Sequence, residues 1–104
     1  MPRIVYTEQA RRDLARLAQF LRDKDPALGK RVVLTILEGI GRLQTLPTLG
    51  KPAGDERRPY LGELKLRMGA AGCAALYEFV PEGDVVLVAA IRHFREAGYK
   101  GEES

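Results

Sequence analysis

The run Val85-Val86-Leu87-Val88-Ala89-Ala90-Ile91, followed without a break by Arg92-His93-Phe94-Arg95-Glu96, constrains this chain most. Seven consecutive apolar residues rich in Val and Ile read as a β-strand covered on both faces, since a half-exposed strand would alternate. Such a strand belongs inside its sheet. Where it ends, Arg92 and His93 are delivered from a rigid scaffold to the sheet edge, where binding and chemistry concentrate.

At 104 residues the chain has room for one core, so the expectation is a single domain over residues 1–104, with the polar Lys100 to Ser104 a frayed tail. A content of 45% hydrophobic and 30% charged residues excludes disordered, collagenous and membrane classes. No apolar run approaches the ~20 residues of a spanning helix. The start, Met-Pro-Arg-Ile-Val-Tyr, lacks the apolar region of a secretory signal, so a cytoplasmic chain with no membrane partner is expected. The lone Cys73 rules out an internal disulfide and reads as a buried, inert thiol. The net charge of +3 is unevenly spread, with nine Lys/Arg against five Asp/Glu in residues 1–50. A basic surface of this kind suits a nucleic acid or an acidic protein.

Taken in order, Arg3 to Tyr6 is a short β-branched and aromatic strand, and Thr7 is a good N-cap for a helix. Ala10, Leu14, Leu17, Ala18 and Leu21 form one apolar stripe on that helix, which leaves Arg11, Arg12, Arg16 and Arg22 on the solvent side. Asp25-Pro26 stops it and starts a second helix, with Asp25 as N-cap and Pro26 at the first helical position. This helix is expected to run to about Leu46 on a stripe of Val33, Ile36, Leu37, Ile40 and Leu43, antiparallel to the first. Gly39 and Gly41 each cost about 1 kcal/mol inside a helix, which close approach to the sheet or the first helix would offset.

Leu46 to Tyr60, with three prolines and two glycines, reads as a surface loop from which Arg57 and Arg58 can reach a polyanion. Three strands then follow as an antiparallel meander: Leu61 to Met68, Cys73 to Val80, and the central strand after the turn Pro81-Glu82-Gly83-Asp84. The fold class expected is therefore α+β: a short N-terminal strand, an antiparallel helix hairpin, then a three-stranded meander forming one sheet with the helices on one face.

Pairing Val80 with Val85 and Met68 with Cys73 sorts the sheet residues by alternation. Leu64, Leu66, Met68, Cys73, Ala75, Tyr77, Phe79, Val86, Val88 and Ala90 fall on the core face, with Arg92 beyond them. Lys65, Arg67, Glu78, Ile91 and His93 fall on the face that the helices leave open. A one-residue slip in either hairpin would move one strand's set to the wrong side. Lys and Arg on rigid strands bind phosphates, and His can transfer a proton near neutrality. That set suffices for metal-independent RNA cleavage, and no metal-ligand spacing, Gly-rich phosphate loop or nucleophile elbow appears, so no metal or cofactor is expected.

Gly62-Glu-Leu-Lys-Leu-Arg67, Ala75-Leu-Tyr-Glu-Phe-Val-Pro-Glu-Gly-Asp84 and above all Ala90-Ile-Arg-His-Phe-Arg-Glu-Ala-Gly-Tyr99 resemble the RelE/ParE superfamily of plasmid-stabilisation toxins. The resemblance covers roughly residues 3–99. It implies the toxin of a type II toxin–antitoxin pair, neutralised by a cognate antitoxin. In the RelE branch the toxin acts on the ribosome and cleaves mRNA. By position, Arg67, His93 and Tyr99 match that branch's catalytic side chains and Lys65 a substrate-binding one, to which Arg57, Arg58, Arg92 and Arg95 are added. In the ParE branch the same scaffold poisons DNA gyrase without a nuclease site, and a degenerate toxin would act only within an antitoxin-bound repressor complex. The presence of Arg67, His93 and Tyr99 favours RNA cleavage. The basic face with Arg11, Arg12 and Arg16 suits an acidic antitoxin segment.

Overall fold

A computed structural model of the chain describes residues 1–68, 71–96, 98 and 99. The element order is β1 (Arg3–Tyr6), α1 (Glu8–Arg22), α2 (Pro26–Gly41), β2 (Lys51–Pro52), β3 (Leu61–Met68), β4 (Ala71–Val80) and β5 (Val85–His93). The caps are those the sequence demands. Thr7 Oγ1 accepts the Ala10 N–H at 3.0 Å, and Asp25 Oδ1 accepts that of Ala27 at 3.1 Å with Pro26 opening α2. Each satisfies one of the amides a helix start leaves unpaired.

The sheet is five-stranded and mixed, in the order β1-β5-β4-β3-β2, with β1 parallel to β5 and the other pairs antiparallel. The Val85 strand is thus interior, flanked by β1 and β4. Leu46 to Tyr60 is more than a loop, because Lys51 and Pro52 pair with Glu63 and Gly62 as the edge strand β2. The segment is also fastened from below: the Gly50 N–H donates to the hydroxyl of the fully buried Tyr77 at 2.9 Å. Helix α2 ends at Gly41, and a single 3₁₀ turn over Arg42–Gln44 carries Leu43 into the core.

One layer of helix packs on one face of the sheet. Ala10, Leu17, Val32, Ile36, Ile40 and Leu43 meet Leu64, Leu66, Cys73, Ala75, Tyr77, Val86, Val88 and Ile91. The apolar stripe of α2 is rotated from the expected one, since Val32 is buried while Leu37 is 36% exposed. Gly39 does mark a close approach: a Cβ there would lie 2.3 Å from Leu66 Cδ2, whereas one at Gly41 meets open space. No helix among the described residues is long and apolar enough to cross a membrane.

Register departs from expectation in two places. In the first hairpin Leu66, not Met68, lies opposite Cys73, and Met68 pairs with Ala71; residues 69–70 lie outside the described residues. A two-residue shift preserves the faces. The second hairpin begins as expected, Val80 opposite Val85, with Asp84 in the left-handed region at φ 51° closing the turn. Between Tyr77↔Val88 and Leu76↔Ala90, however, Ala89 is left over as a β-bulge. Beyond it Ile91 pairs with Ala75 on the core face and His93 with Cys73. The bulge therefore exchanges the expected faces of Ala90, Ile91, Arg92 and His93. The expected tail, residues 100–104, lies outside the described residues.

Candidate functional site

The open face of the sheet is built from alternate residues of three strands. Glu63, Leu76 and Ala90 form one cross-strand row, and Lys65, Ala74 and Arg92 the next. Arg67 stands opposite Gly72, whose carbonyl accepts the Phe94 N–H at 3.0 Å. Gly72 has no side chain to interfere: a Cβ there would lie 2.6 Å from the Phe94 ring, and the ring instead receives the Arg67 guanidinium at 5.7 Å. Lys65 and Arg67 are exposed and have no carboxylate partner among the described residues.

Arg92 is held on this face. Its guanidinium lies 3.7 Å from Glu63, 5.2 Å from the centre of the Tyr99 ring, and donates to the Glu96 carbonyl at 3.3 Å. Tyr99 completes the cluster by donating its hydroxyl to Glu63 at 2.6 Å. Since Arg92 is on β5 and Glu63 on β3, their pairing with Tyr99 spans β4, and Ala74, Leu76 and Ala90 are buried on this face although no helix covers it. Burial, and then the Glu63 hydrogen bond, raise the Tyr99 hydroxyl well above its ordinary range. Tyr99 is a hydrogen-bond donor fixed in its protonated form.

His93 is elsewhere. The bulge turns it to the helix side, where it lines a recess of about 210 Å³ with Leu17, Phe20, Leu28, Val32 and Cys73. Its Nδ1 accepts the Arg95 N–H at 3.1 Å, which leaves Nε2 as the other ring nitrogen. Cys73, at the base of this recess and 2% exposed, has its thiol pushed up to about 11 by burial and by the charge of Glu96, the inert behaviour its sequence context suggested.

Of the sequence-selected residues, the structure thus gathers Arg67, Lys65, Arg92 and Tyr99 and separates His93 from them. Arg92 was expected on the helix side and His93 on the open one; the bulge reverses both. Glu78 bonds Arg58 at 3.0 Å rather than Lys65, while Arg57 and Arg95 are exposed. On α1, Arg11 and Arg12 face solvent as expected. Arg16 does not: it reaches back to Glu96 at 2.8 Å and Asp13 at 3.3 Å. Glu63, Phe94, Glu96 and the 1%-exposed Asp13 escaped the sequence reading. Asp13 carried a signal, since it falls on the apolar stripe, three residues after Ala10 and four before Leu17. Among the described residues no cluster of His, Cys, Asp and Glu could hold a metal ion.

The chemistry available follows from this inventory. The open face offers two cations without a carboxylate partner among the described residues, a guanidinium already oriented, and two aromatic rings, a surface fitted to anionic or acidic groups. It carries no side chain that ordinarily titrates near neutrality among the described residues, because the single histidine is on the other side.

No curated protein matches the sequence. Among solved structures the chain is similar to one in the crystal structure of the toxin–antitoxin complex RelBE2 from Mycobacterium tuberculosis, with a TM-score of 0.61 and 26% identity over 89% of this chain and 99% of that one. The family model described as the ParE toxin of the type II toxin–antitoxin system parDE matches residues 4–98. With nearly its whole length matched and the helix hairpin and sheet in place, the chain belongs to the ParE toxin family of type II toxin–antitoxin systems.

Proposed function

We propose that this toxin arrests growth by binding its target through the open sheet face, in the manner of a gyrase poison, rather than by cutting RNA. The observation that carries the reading is the bulge at Ala89, which leaves Arg67, Lys65 and Arg92 together and removes the only histidine from their side. Ribose 2′-oxygen attack needs a group to take a proton and another to return one. Here Glu63 is engaged by Tyr99 and Arg92, and Tyr99 keeps its proton. Binding needs none of this, only the cations and rings that are present. The match to the ParE model agrees with this choice.

The test is a DNA supercoiling and cleavage assay with purified gyrase and the purified chain. The reading predicts loss of supercoiling and accumulation of cleaved DNA, both absent with Arg67→Ala. Unaffected gyrase would contradict it. The second reading, mRNA as the target, rests on the sequence resemblance to the RelE branch, and 5′-end mapping in a reconstituted translation reaction distinguishes the two. New ends that appear only during translation would establish the nuclease reading instead. A chain that arrests no growth without its partner would point to a repressor-complex role.

The similarity to a chain of the RelBE2 complex supports a cognate antitoxin. Its docking on this chain would draw on Arg11 and Arg12, which remain exposed, and not on Arg16, which is tied to Glu96 and Asp13.

A further inference from the structure

We propose that Asp13 is a positioning residue for the open-face site: its buried carboxylate holds the Ala89 bulge of β5, and the bulge sets Arg92 rather than His93 beside Arg67 and Tyr99. This rests on the reading of the open face as the binding site. The argument starts from a count of backbone groups. Strand β1 accompanies β5 only as far as Val88, after which the chain leaves as α1. From Ala89 to His93 the outer edge of β5 has no neighbouring strand, and each of its outward-facing groups must find another partner.

All of them do, and α1 with its cap supplies most of the partners. Thr7 Oγ1 donates to the Ala89 carbonyl at 2.7 Å. Asp13 Oδ2 accepts the Ile91 N–H at 2.8 Å, and Arg16 donates to the Ile91 carbonyl at 3.5 Å. Glu96 Oε1 accepts the His93 N–H at 2.8 Å, and its backbone N–H donates to the His93 carbonyl at 3.0 Å. Asp13 is the centre of this arrangement, because its other oxygen accepts from Gln9 at 2.9 Å and from Arg16, which in turn holds Glu96. A carboxylate 1% exposed inside an apolar helix stripe is costly to bury unless it is fully bonded. Here its bonds go to the first amide that the bulge turns outward.

Without that acceptor an outward N–H is left unpaired in either register, that of Ile91 with the bulge or that of Ala90 without it, so nothing offsets the disrupted ladder of the bulge and the regular register continuing from Tyr77↔Val88 is favoured. That register sets Ala75 opposite Ala90 and Cys73 opposite Arg92. His93 would then join the open face and Arg92 would leave it. Asp13 so decides, from the far side of the sheet edge, whether the site contains Arg92 or His93.

The experiment reads register and toxicity separately. In the observed register Ala75 and Ile91 form a close, non-hydrogen-bonded pair, since Gly72 and Phe94 are bonded three residues on. Their α-protons should give a strong cross-strand NOE in the wild type and in Asp13→Asn, which keeps an acceptor. In Asp13→Ala this NOE should be lost, with a contact between Ala75 and Ala90 in its place, and growth arrest should be lost with it. Deleting Ala89 in the Asp13→Ala background should restore growth arrest, because the shortened strand carries Arg92 on the open face with no bulge to hold. A structural role of Asp13 within α1 alone would not be rescued by shortening β5. If Asp13→Ala does not fold, the double variant decides, and its failure to fold or to arrest growth overturns the proposal. An unchanged Ala75–Ile91 contact in Asp13→Ala overturns it too. A changed register with full toxicity supports the positioning role and contradicts the open-face reading on which it rests.

Discussion

Single residues do opposite things on the two faces of this sheet. On the open face Glu63 collects Tyr99 and Arg92, and the three together fix an arginine that would otherwise sample many rotamers. On the helix face Cys73 sits under α1 and α2 with its thiol protonated far above neutrality. Its linkage to stability has a definite sign. The folded chain holds the thiol proton to about 11 against an ordinary 9.0, so its contribution is complete below pH 9 and lost as the pH rises towards 11. Denaturant titrations across that window should show stability falling by about 2 kcal/mol more for the wild type than for Cys73→Ala. At neutral pH the thiol should resist alkylation in the native chain; fast native labelling would contradict this.

Which residues could be identified from sequence depended on whether their partner was close along the chain. The caps at Thr7 and Asp25 and the turn before Val85 are local, and they stand as read. Alternation likewise placed Lys65 and Arg67, because a two-residue change of register leaves parity intact. His93 and Arg92 were misplaced by one residue's worth of bulge, and Ala89-Ala90 has no signature of its own. The sign that something unusual faced the helix lay 76 residues earlier, in an aspartate on an apolar stripe.

At the scale of elements, the helix hairpin is set against the sheet by contacts that two glycines separate cleanly. Ala at Gly39 would drive a methyl group into Leu66, a buried side chain with little room to move. Overpacking of this kind outweighs the gain in helix propensity, so Gly39→Ala should destabilise by about 1–2 kcal/mol. Gly41 has helical backbone angles, φ −55° and ψ −27°, and open space beside it. There the same substitution should stabilise by about 0.5–1 kcal/mol, mainly by restricting the unfolded chain. Thermal unfolding of the pair checks both signs at once; equal shifts would show that neither helix approach nor propensity governs this turn. The expectation of close approach at both glycines was therefore half right. Periodicity marks where a helix could be buried, but the rotation of α2 that buries Val32 and exposes Leu37 depends on the sheet beneath it. Similarly, β2 is too short to carry a strand pattern, and it exists because β3 offers an edge to Lys51 and Pro52.

For the molecule as a whole, the two faces divide the work. The helix side is a packed core with a basic outer surface, where the exposed Arg11 donates to the Tyr6 carbonyl and the exposed Arg12 pairs with Glu8 within the same helix, bonds weak enough at the surface to be exchanged for an acidic partner. Reversing both, Arg11→Glu with Arg12→Glu, should weaken antitoxin binding roughly tenfold and flatten its salt dependence, as measured by calorimetry at two ionic strengths. Reversing Arg16 instead should lower stability, because it breaks bonds to Glu96 and Asp13. The open side is the face we propose as the effector surface. Its claim to that role is tested most directly by inducing Arg67→Ala, Arg92→Ala and His93→Ala separately in cells without antitoxin and following growth, with circular dichroism confirming that each variant is folded. The account predicts that the two arginine variants lose growth arrest while His93→Ala retains it. Growth arrest abolished by His93→Ala and retained by both arginine variants would contradict it and return the chemistry to the histidine.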